Sequence, residues 1–269
     1  MNKIDIAILG ATRGEILSLS ESFPQSEKIE IAGNVFTRHV YRNLSLLIGS
    51  TGIGKVNAAA ITSAVLSRFR VMEVWSVGCA GGYGGAGLRI GDVVITRDSL
   101  CGDEGVLSRD GPSSMELIGI PLVQKEGIFF YDRFPLAGFE TFCKLHALLP
   151  PGSYREECLT CPPQPGRSDD AGENSFLIRY GNSVTVSMAS GDVETAEKRF
   201  QVYAALAENM EGSAVAQVCF LLDVPFLECR GISNIAGIRD KKNWNLGLAV
   251  EHSHAVIRHV LNSISMGEY

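Results

Sequence analysis

The sequence predicts an α/β fold in which a mixed central sheet is flanked by helices. Short apolar runs rich in Val and Ile alternate along the chain with segments whose apolar residues recur at helical spacing. Glycine-dense turns separate several of these segments. Because strands that alternate with helices build largely parallel or mixed sheets, we expect helices to cover both faces of this one.

The first half of the chain supplies most of the predicted strands. Ile4–Leu9 is an apolar run of strand length, and the β-rich runs Val35–Tyr41 and Leu44–Gly49, only two residues apart, predict an antiparallel pair. Lys55–Phe69 is Ala-rich with apolar residues at helical spacing and predicts a helix. Val71–Val77 is a further β-rich run and predicts the next strand.

The rest of the chain alternates more regularly between the two kinds of element. Strands are predicted at Asp92–Asp98, Ser183–Ala189 and Pro225–Ser233. Helices are predicted at Phe139–Leu149, Val193–Tyr203, Glu211–Leu222 and Leu246–Ser263. No break in composition marks a second domain, so we predict one domain over residues 1–269. Residues 150–174 are rich in Pro, Gly, Ser and acidic residues, which predicts a surface insertion or flexible loop.

Composition and charge favour a small-molecule partner. The 269 residues are 45% hydrophobic and 20% charged, and the formal net charge is −6. This negative net charge does not suggest a basic surface for binding nucleic acid. No window approaches the roughly 20 apolar residues that span a bilayer. The first residues lack the pattern of a signal peptide, and the seven cysteines are an odd number, so we expect a cytoplasmic protein with free thiols and no membrane partner.

Two cysteine-containing pairs raise the question of a metal. Cys143 and His146, and Cys158 and Cys161, have a spacing that is compatible with zinc. Unrelated thiols are the simpler interpretation, because nothing else in the sequence calls for a metal. We therefore expect neither a metal nor a cofactor.

Two glycine-rich segments favour a ligand site without defining its chemistry. Gly49-Ser-Thr-Gly-Ile-Gly-Lys55 has phosphate-loop spacing, but Val56 replaces the hydroxyl that would bind Mg²⁺. A tight strand-to-helix turn is the better interpretation. The run from Gly78 to Gly87 lacks the spacing and downstream acid of a dinucleotide site. Its backbone is free to lie flat against a planar ligand.

Two later segments each have a functional and an ordinary interpretation. Glu211 opens a predicted helix, where an acidic residue either stabilises the helix N-terminus or projects into a site. Asn234 follows the apolar strand that begins at Pro225. Its side chain carries a donor and an acceptor side by side, which suits a planar heterocycle but also ordinary turn formation.

Together these segments resemble the superfamily of purine nucleoside phosphorylases and methylthioadenosine/S-adenosylhomocysteine nucleosidases. The resemblance keeps the order of six motifs over nearly the whole chain. The motifs are Gly10-Ala-Thr-Arg-Gly-Glu15, Ser50-Thr-Gly-Ile-Gly-Lys-Val-Asn-Ala-Ala, Gly78-Cys-Ala-Gly-Gly82, Ser190-Gly-Asp192, Met210-Glu211 and Arg230-Gly-Ile-Ser-Asn234. It implies a nucleoside phosphorylase-like fold and an enzyme that cleaves the N-glycosidic bond of a nucleoside.

The resemblance also assigns roles to individual residues. Glu15 is the expected general base, and Glu211 is expected to bind the ribose hydroxyls and stabilise positive charge on the ribose ring. Asn234 would recognise the base. The other expected substrate-binding residues are Cys79, Ala80 and Gly81 in the glycine loop, Met210 beside Glu211, and Arg230, which would orient Glu211 or Glu15 unless it forms a structural ion pair.

Two departures from the family pattern narrow the expected substrate. Nucleosidases for adenine-type substrates carry Asp where this chain has Asn234; an amide donor there favours a 6-oxopurine such as hypoxanthine. The arginine-bearing loop of the phosphorylases is not evident, although Arg13 is a candidate phosphate ligand. Water is therefore the preferred acceptor. A methylthioadenosine/S-adenosylhomocysteine-type nucleosidase, an inosine-type phosphorylase and a non-catalytic nucleoside-binding module are the alternatives.

The loop that follows Asn234 resembles that of futalosine hydrolases, which act in menaquinone biosynthesis and release hypoxanthine. Futalosine is an inosine analogue with a carboxyphenyl-bearing chain at C5′. Trp244 is expected to stack on the aromatic ring, and Arg239, Lys241 or Lys242 to pair with the carboxylate. A solvated basic loop is the alternative. The resemblance further implies a homo-oligomer, with a dimer favoured.

Overall fold

A computed structural model describes residues 2–109, 111–136 and 176–266, together with the backbone of residues 154–158. The helices are α1 (Arg13–Glu21), α2 (Lys55–Arg68), α3 (Met115–Ile118), α4 (Val193–Tyr203), α5 (Gly212–Leu221) and α6 (Leu246–Met266). The first six strands are β1 (Lys3–Gly10), β2 (Gln25–Ile31), β3 (Asn34–Tyr41), β4 (Leu44–Ser50), β5 (Arg70–Gly82) and β6 (Val93–Cys101).

The remaining strands differ in length and in the sheet that they join. They are β7 (Gly105–Ser108), β8 (Gly111–Ser114), β9 (Val123–Lys125), β10 (Ile128–Phe130), β11 (Arg133–Pro135), β12 (Tyr154–Cys158), β13 (Phe176–Thr185), β14 (Ala205–Asn209) and β15 (Phe226–Ile235). Within the described residues, β7 with β8 and β9 with β10 form two-stranded sheets, and the other strands form one eleven-stranded sheet.

The large sheet is mixed, as predicted. Its strand order is β11-β6-β13-β14-β5-β1-β4-β3-β2, and β15 pairs with both β5 and β6. β1 runs parallel to β4 and β5, whereas β3 and β4 form the expected antiparallel pair. The pairings β5–β15, β15–β6, β6–β13, β13–β14 and β14–β5 close into a ring of strands. This ring gathers the ends of β5, β14 and β15 in one place.

Helices cover both faces of the sheet, which confirms the predicted layers. Successive side chains of β1 point to opposite faces. Ala7 and Leu9 pack in the cluster that contains buried residues of α2 and α5. Ile6 and Ile8 pack in the cluster that contains buried residues of α1 and α6. Burial of apolar surface contributes roughly 25 cal/mol per Å², so α1, α2, α5 and α6 are held to the sheet by their apolar sides.

Two strands, β5 and β13, depart most from their predicted bounds. β5 continues through the glycine run to Gly82 rather than ending at Val77, because its glycines pair with β15 and with β14. β13 spans Phe176–Thr185, whereas Ser183–Ala189 was predicted. Its first half contains charged and aromatic residues that obscure the strand pattern, and pairing with β6 and β14 decides the outcome.

Ten further helices and strands were not predicted: α1, α3, β2, β7, β8, β9, β10, β11, β12 and β14. In α1 the buried residues are Ile16 and Leu19, too few to give a clear helical period. β14 has only five residues, all of them buried, and so shows no alternation between apolar and polar positions.

The predicted helix Phe139–Leu149 and most of the segment 150–174 lie outside the described residues. Within that segment Tyr154–Cys158 forms β12, which pairs parallel to β13. A surface insertion or flexible loop was predicted there, and an insertion can contain a strand because backbone pairing does not depend on polar composition. In the described part of the chain, no helix is long and apolar enough to cross a membrane.

Candidate active site

A cavity of about 820 Å³ opens beside the carboxyl ends of β1, β5 and β15. Nine of the predicted site residues line it: Glu15, Cys79, Ala80, Gly81, Met210, Glu211, Asn234, Arg239 and Trp244. Arg230 does not line it. Ligand sites of open α/β sheets lie outside the carboxyl ends of their strands, so the topology accounts for this convergence.

β14 pairs with the end of β5 and places Glu211, the second candidate catalytic residue, beside the cavity. The two strands are antiparallel, with Glu208 opposite Gly81. The residues that follow β14, Met210 and Glu211, therefore run back alongside Cys79. Sequence-distant segments thus meet at one wall of the cavity because the ring of strands brings the end of β14 onto the end of β5.

Glu15 is the third residue of α1 and reaches back to the start of the helix. The Thr12 backbone N–H and hydroxyl donate to Glu15 Oε2 at 2.8 and 3.1 Å. The Cys79 N–H donates to Glu15 Oε1 at 2.9 Å. Three donors therefore fix the carboxylate at the end of β5, and the half-buried side chain still borders the cavity.

Glu211 directly precedes α5 and makes no side-chain hydrogen bond to the start of that helix. Its carboxylate instead accepts the Gly54 N–H at Oε1, 2.8 Å away, in the turn between β4 and α2. The side chain is buried, and burial is the main cause that raises its pKa, opposed by the charge of Arg230. Glu211 thus borders the cavity and binds the β4–α2 turn rather than capping α5 by a hydrogen bond, and the glycine-rich turn is the predicted strand-to-helix turn.

Arg230 lies behind the cavity wall and does not line the cavity. Its Nε donates to Glu228 Oε1 at 3.0 Å and its Nη2 donates to Ser76 Oγ at 2.6 Å. A Cβ placed on Gly78 would lie 3.0 Å from Arg230 Nη1 and 2.4 Å from Glu15 Oε1, so the glycine lets both groups approach. The expectation that Arg230 contacts the substrate does not fit this placement; the buried ion pair does.

Asn209 joins this ion pair to the backbone that carries Glu211. Its Nδ2 donates to Glu228 Oε1 at 2.8 Å. Its Oδ1 accepts the N–H groups of Glu211 at 3.1 Å and Gly212 at 2.7 Å, and the Thr185 hydroxyl at 3.0 Å. A buried polar network that is fully hydrogen-bonded holds its members in one arrangement. The position of Glu211 therefore depends in part on Glu228 and Thr185, which do not line the cavity.

Asn234 lies near the end of β15 rather than in a turn, and its side chain faces Gly81. The Ser233 hydroxyl donates to Asn234 Oδ1 at 2.8 Å, and Asn234 Nδ2 donates to the Ile235 carbonyl at 3.2 Å. An amide oxygen accepts two hydrogen bonds and its NH₂ group donates two. One acceptor site and one N–H of Asn234 thus remain for a ligand in the cavity.

Cys79, Ala80 and Gly81 form an uncharged part of the cavity wall. Burial, with the nearby Glu15 charge, raises the pKa of the half-buried Cys79 thiol to about 12, so it is protonated at neutral pH. Ala80 and Gly81 follow it along β5 and expose backbone to the cavity. These residues suit a planar or ribose-like ligand that packs against backbone.

Arg239 and Trp244 lie together at the cavity mouth. The Arg239 guanidinium carbon is 4.9 Å from the centre of the Trp244 ring, and Trp244 Nε1 donates to the Ile238 carbonyl at 3.1 Å. Lys241 and Lys242 form an exposed single turn and do not line the cavity. The solvated-loop interpretation therefore describes the two lysines.

The sequence interpretation missed His254, which is fully buried and lines the cavity. Its Nε2 lies 2.7 Å from the backbone carbonyl of Glu15, and its Nδ1 lies 2.9 Å from Ser18 Oγ. A carbonyl only accepts, so Nε2 carries a proton. Burial, reinforced by the charge of Arg258, lowers the His254 pKa. The polar residues on the otherwise apolar face of α6 could have indicated that this face borders a cavity.

Glu208 was missed as well. It is buried, lines the cavity and accepts the Ser190 N–H at 2.8 Å and the Ser190 hydroxyl at 2.6 Å. The Tyr83 hydroxyl and the Arg199 guanidinium also donate to it. Ser190, predicted to lie in the wall of the base pocket, therefore supports that wall through Glu208.

The described cysteines, Cys79, Cys101, Cys219 and Cys229, are free thiols. Among the residues that the structure describes, no three His, Cys, Asp or Glu side chains come close enough together to hold a metal ion. Cys143, His146 and Cys161, with the side chain of Cys158, lie outside those residues, so the predicted thiol interpretation remains a prediction.

Comparisons with known proteins agree with this fold. A 5′-methylthioadenosine/S-adenosylhomocysteine nucleosidase of Bacillus thuringiensis (strain Al Hakam) is 29% identical over 261 residues, 96% of this chain and 99% of that protein. A solved structure of such a nucleosidase from Colwellia psychrerythraea 34H, in complex with adenine, has a TM-score of 0.75 at 24% identity, covering 97% of this chain and 96% of that one.

Futalosine hydrolase of Helicobacter pylori strain 26695 has a TM-score of 0.74 at 23% identity, covering 97% of this chain and 98% of that one. Likenesses at such identities show a shared fold. The family model described as the Phosphorylase superfamily matches residues 5–262. Because that match extends over nearly the whole sequence, this chain belongs to the phosphorylase superfamily.

Proposed function

We propose that this chain hydrolyses the N-glycosidic bond of a 6-oxopurine nucleoside, and that its substrate is futalosine, from which it releases hypoxanthine. The observation that carries the proposal is the placement of two carboxylates and one amide around a single cavity. Glu15 and Glu211 lie at the end of β5, and Asn234 lies beside Gly81. Asn234 would bind the base, Glu211 the ribose, and Glu15 the attacking water.

Bond cleavage follows from this arrangement. As the electron pair of the C1′–N9 bond moves to the purine, positive charge develops on the ribose ring, and Glu211 bound to the ribose hydroxyls stabilises it. Water adds its oxygen to C1′ and gives a proton to Glu15. The purine takes up a proton from solvent, and Glu15 returns its proton to solvent. Nucleoside and water are thereby converted to free base and free sugar.

The amide of Asn234 supports a 6-oxopurine. Its free N–H would donate to the 6-oxo group while its oxygen accepts from N7–H. An adenine-type base would present an amine to that donor and leave it unpaired, which disfavours binding. The adenine-type nucleosidase remains the second candidate, because the relative from Bacillus thuringiensis bears that name.

Water is the favoured acceptor over phosphate. Arg13, the candidate phosphate ligand, is exposed and does not line the cavity. Phosphorolysis needs several basic or hydroxyl groups around the anion, and Glu15 and Glu211 would repel one. Glu15 is placed instead to polarise a water molecule.

Product analysis tests the proposal. The enzyme is incubated separately with futalosine, inosine and methylthioadenosine, each with and without phosphate, and the free base is measured. We expect the fastest release from futalosine, a slower release from inosine, and no dependence on phosphate. Preferred cleavage of methylthioadenosine would favour the second candidate, and a requirement for phosphate would establish a phosphorylase.

We also propose a homo-oligomer, with a dimer favoured. Ile53, Val56 and Leu221 line a second groove beside α2 and α5 and are at least half exposed, at 57%, 83% and 53%. Exposed apolar clusters of this kind are typical of interfaces. Analytical ultracentrifugation would test this, and a monomer at micromolar concentration would refute it.

A further inference from the structure

We propose that Arg258 forms an anion-binding subsite at the α1–α6 side of the cavity and pairs there with a carboxylate on the C5′ substituent of the nucleoside. This inference rests on the proposed function, since it concerns the same cavity. It assigns the carboxylate to a residue outside the loop 237–244, where the sequence pattern had placed it.

Arg258 belongs to a polar stripe on α6. Glu251, His254 and Arg258 follow one another at spacings of three and four residues, so they share one helix face. All three line the cavity, and Ser18 of α1 lines it opposite them. Ser18 also contacts His254 at 2.9 Å. The cavity therefore extends past Glu15 into the space between α1 and α6.

Among the residues that the structure describes, the Arg258 side chain has no hydrogen-bonding partner. It is half-buried, and in the described part of the chain it forms no hydrogen bond or ion pair. The other partly or fully buried arginines behind this cavity are paired, Arg230 with Glu228 and Arg199 with Glu208. A half-buried guanidinium without a partner pays a desolvation cost that a bound carboxylate would offset with two parallel hydrogen bonds.

Arg239 is a weaker candidate for the same task. Its guanidinium already lies over the Trp244 ring at 4.9 Å, and its side chain is exposed. An ion pair formed there would be screened by solvent and would contribute little. Trp244 remains available to contact the aromatic ring of the substituent with the part of its surface that Arg239 leaves free.

The charge around Arg258 favours an anion. His254, one turn away on the same helix, has a pKa that is lowered by burial and by the charge of Arg258, so it is neutral at pH 7. Glu251 lies two turns away on the helix, roughly 10 Å along its axis, and is exposed. Glu15 is occupied by Thr12 and Cys79 donors. The positive charge of Arg258 is therefore the nearest one to this end of the cavity.

A set of four nucleosides separates this inference from the proposed function. Each is a C5′ thioether that carries a carboxyphenyl group or its methyl ester, built on either inosine or adenosine. The contrast between bases tests the proposed function, and the contrast between acid and ester tests the subsite. Initial rates give kcat and KM for the wild type, Arg258→Met and Arg239→Met. Lys198 is an exposed helix residue that pairs with Glu194 and does not line the cavity, so Lys198→Met is the matched control for loss of one positive charge.

We expect the wild type to show a KM about 10-fold lower for the acid than for the ester, since a charge-assisted hydrogen bond discriminates to about this extent. Arg258→Met should abolish that preference by raising KM for the acid alone, with kcat unchanged. Lys198→Met should keep it.

Equal KM values for acid and ester in the wild type would overturn the inference. So would a preference that survives Arg258→Met, or one that Arg239→Met alone abolishes. Preferred cleavage of the adenosine pair would refute the proposed base, but the acid–ester contrast within that pair would still decide the subsite.

Discussion

His254 Nε2 donates to the backbone carbonyl of Glu15 at 2.7 Å, so the last helix fixes the first turn of α1 from behind the candidate base. Its Nδ1 contacts Ser18 one turn further along α1. Two hydrogen bonds from one buried side chain thus tie α1 to α6 at the position where the Glu15 carboxylate must point into the cavity.

Loss of this link should slow turnover more than binding. We expect His254→Ala to lower kcat about 10-fold with little change in KM, because a shift of under 1 Å in a catalytic group is costly to rate. His254→Gln, which keeps an N–H donor, should recover part of kcat. Equal kcat values for the two variants, at equal melting temperatures, would show that His254 only fills space.

The same residue predicts a pH dependence of stability. Its folded pKa is lowered, chiefly by burial, so the unfolded chain binds a proton first as the pH falls through about 6.5. The free energy of unfolding should therefore decrease below that pH, and the His254 contribution should be fully present above it. Urea denaturation between pH 5 and 8 measures this. In His254→Gln the decrease should be smaller; an identical pH profile would contradict the assignment.

The Glu228–Arg230 pair should matter for stability and for catalysis together. Glu228→Gln leaves the buried Arg230 charge without its counter-ion, and removal of one partner from a buried pair costs roughly 3 kcal/mol. Denaturation should show a loss of that order, and kcat should fall because Asn209 and Arg230 both contact Glu228.

A matched surface variant distinguishes the effect of breaking a buried ion pair from the effect of removing one negative charge. Glu194→Gln breaks the exposed pair with Lys198 on α4, and an exposed pair contributes under about 1 kcal/mol. Equal losses of stability in Glu228→Gln and Glu194→Gln would refute the proposed importance of the buried pair.

Asn234→Asp should change which base is accepted. A carboxyl group at this position shares a proton with N7 and accepts from an exocyclic amine, whereas it offers no fixed donor to a 6-oxo group. We expect the ratio of kcat/KM for inosine to that for adenosine to fall at least 10-fold in the variant. Competition assays with both nucleosides in one mixture measure the ratio directly, and an unchanged ratio would refute the role of Asn234.

Local patterns and motif order were enough to predict the layers of the fold and nine of the residues that line the cavity. Cys79, Met210 and Glu211 lie in glycine-rich or strand-end segments that keep a recognisable order. The role of Arg230 was not predictable, because its partner Glu228 lies two residues away on the same buried strand and only pairing of β15 with β5 and β6 shows which way the guanidinium points.

His254 and Arg258 could not be assigned for a related reason. On a long amphipathic helix, a polar residue on the buried face has the same pattern whether it satisfies the core or borders a cavity. The packing of α6 against α1 decides between the two, and that packing depends on a short helix with only two buried residues. Which residues meet between two such helices is decided by tertiary packing, and the sequence of either helix alone does not reveal it.

The most direct test of the account is the release of hypoxanthine from futalosine, without phosphate, by the wild type and by Glu15→Gln. The glutamine variant keeps the shape of the side chain and its contacts with Thr12 and Cys79 in part, but it cannot accept a proton from water. General-base catalysis contributes a factor of about 100 or more. We predict that the wild type releases hypoxanthine and that kcat falls at least by that factor in Glu15→Gln, with an unchanged melting temperature. Turnover that survives intact in Glu15→Gln would contradict the catalytic assignment.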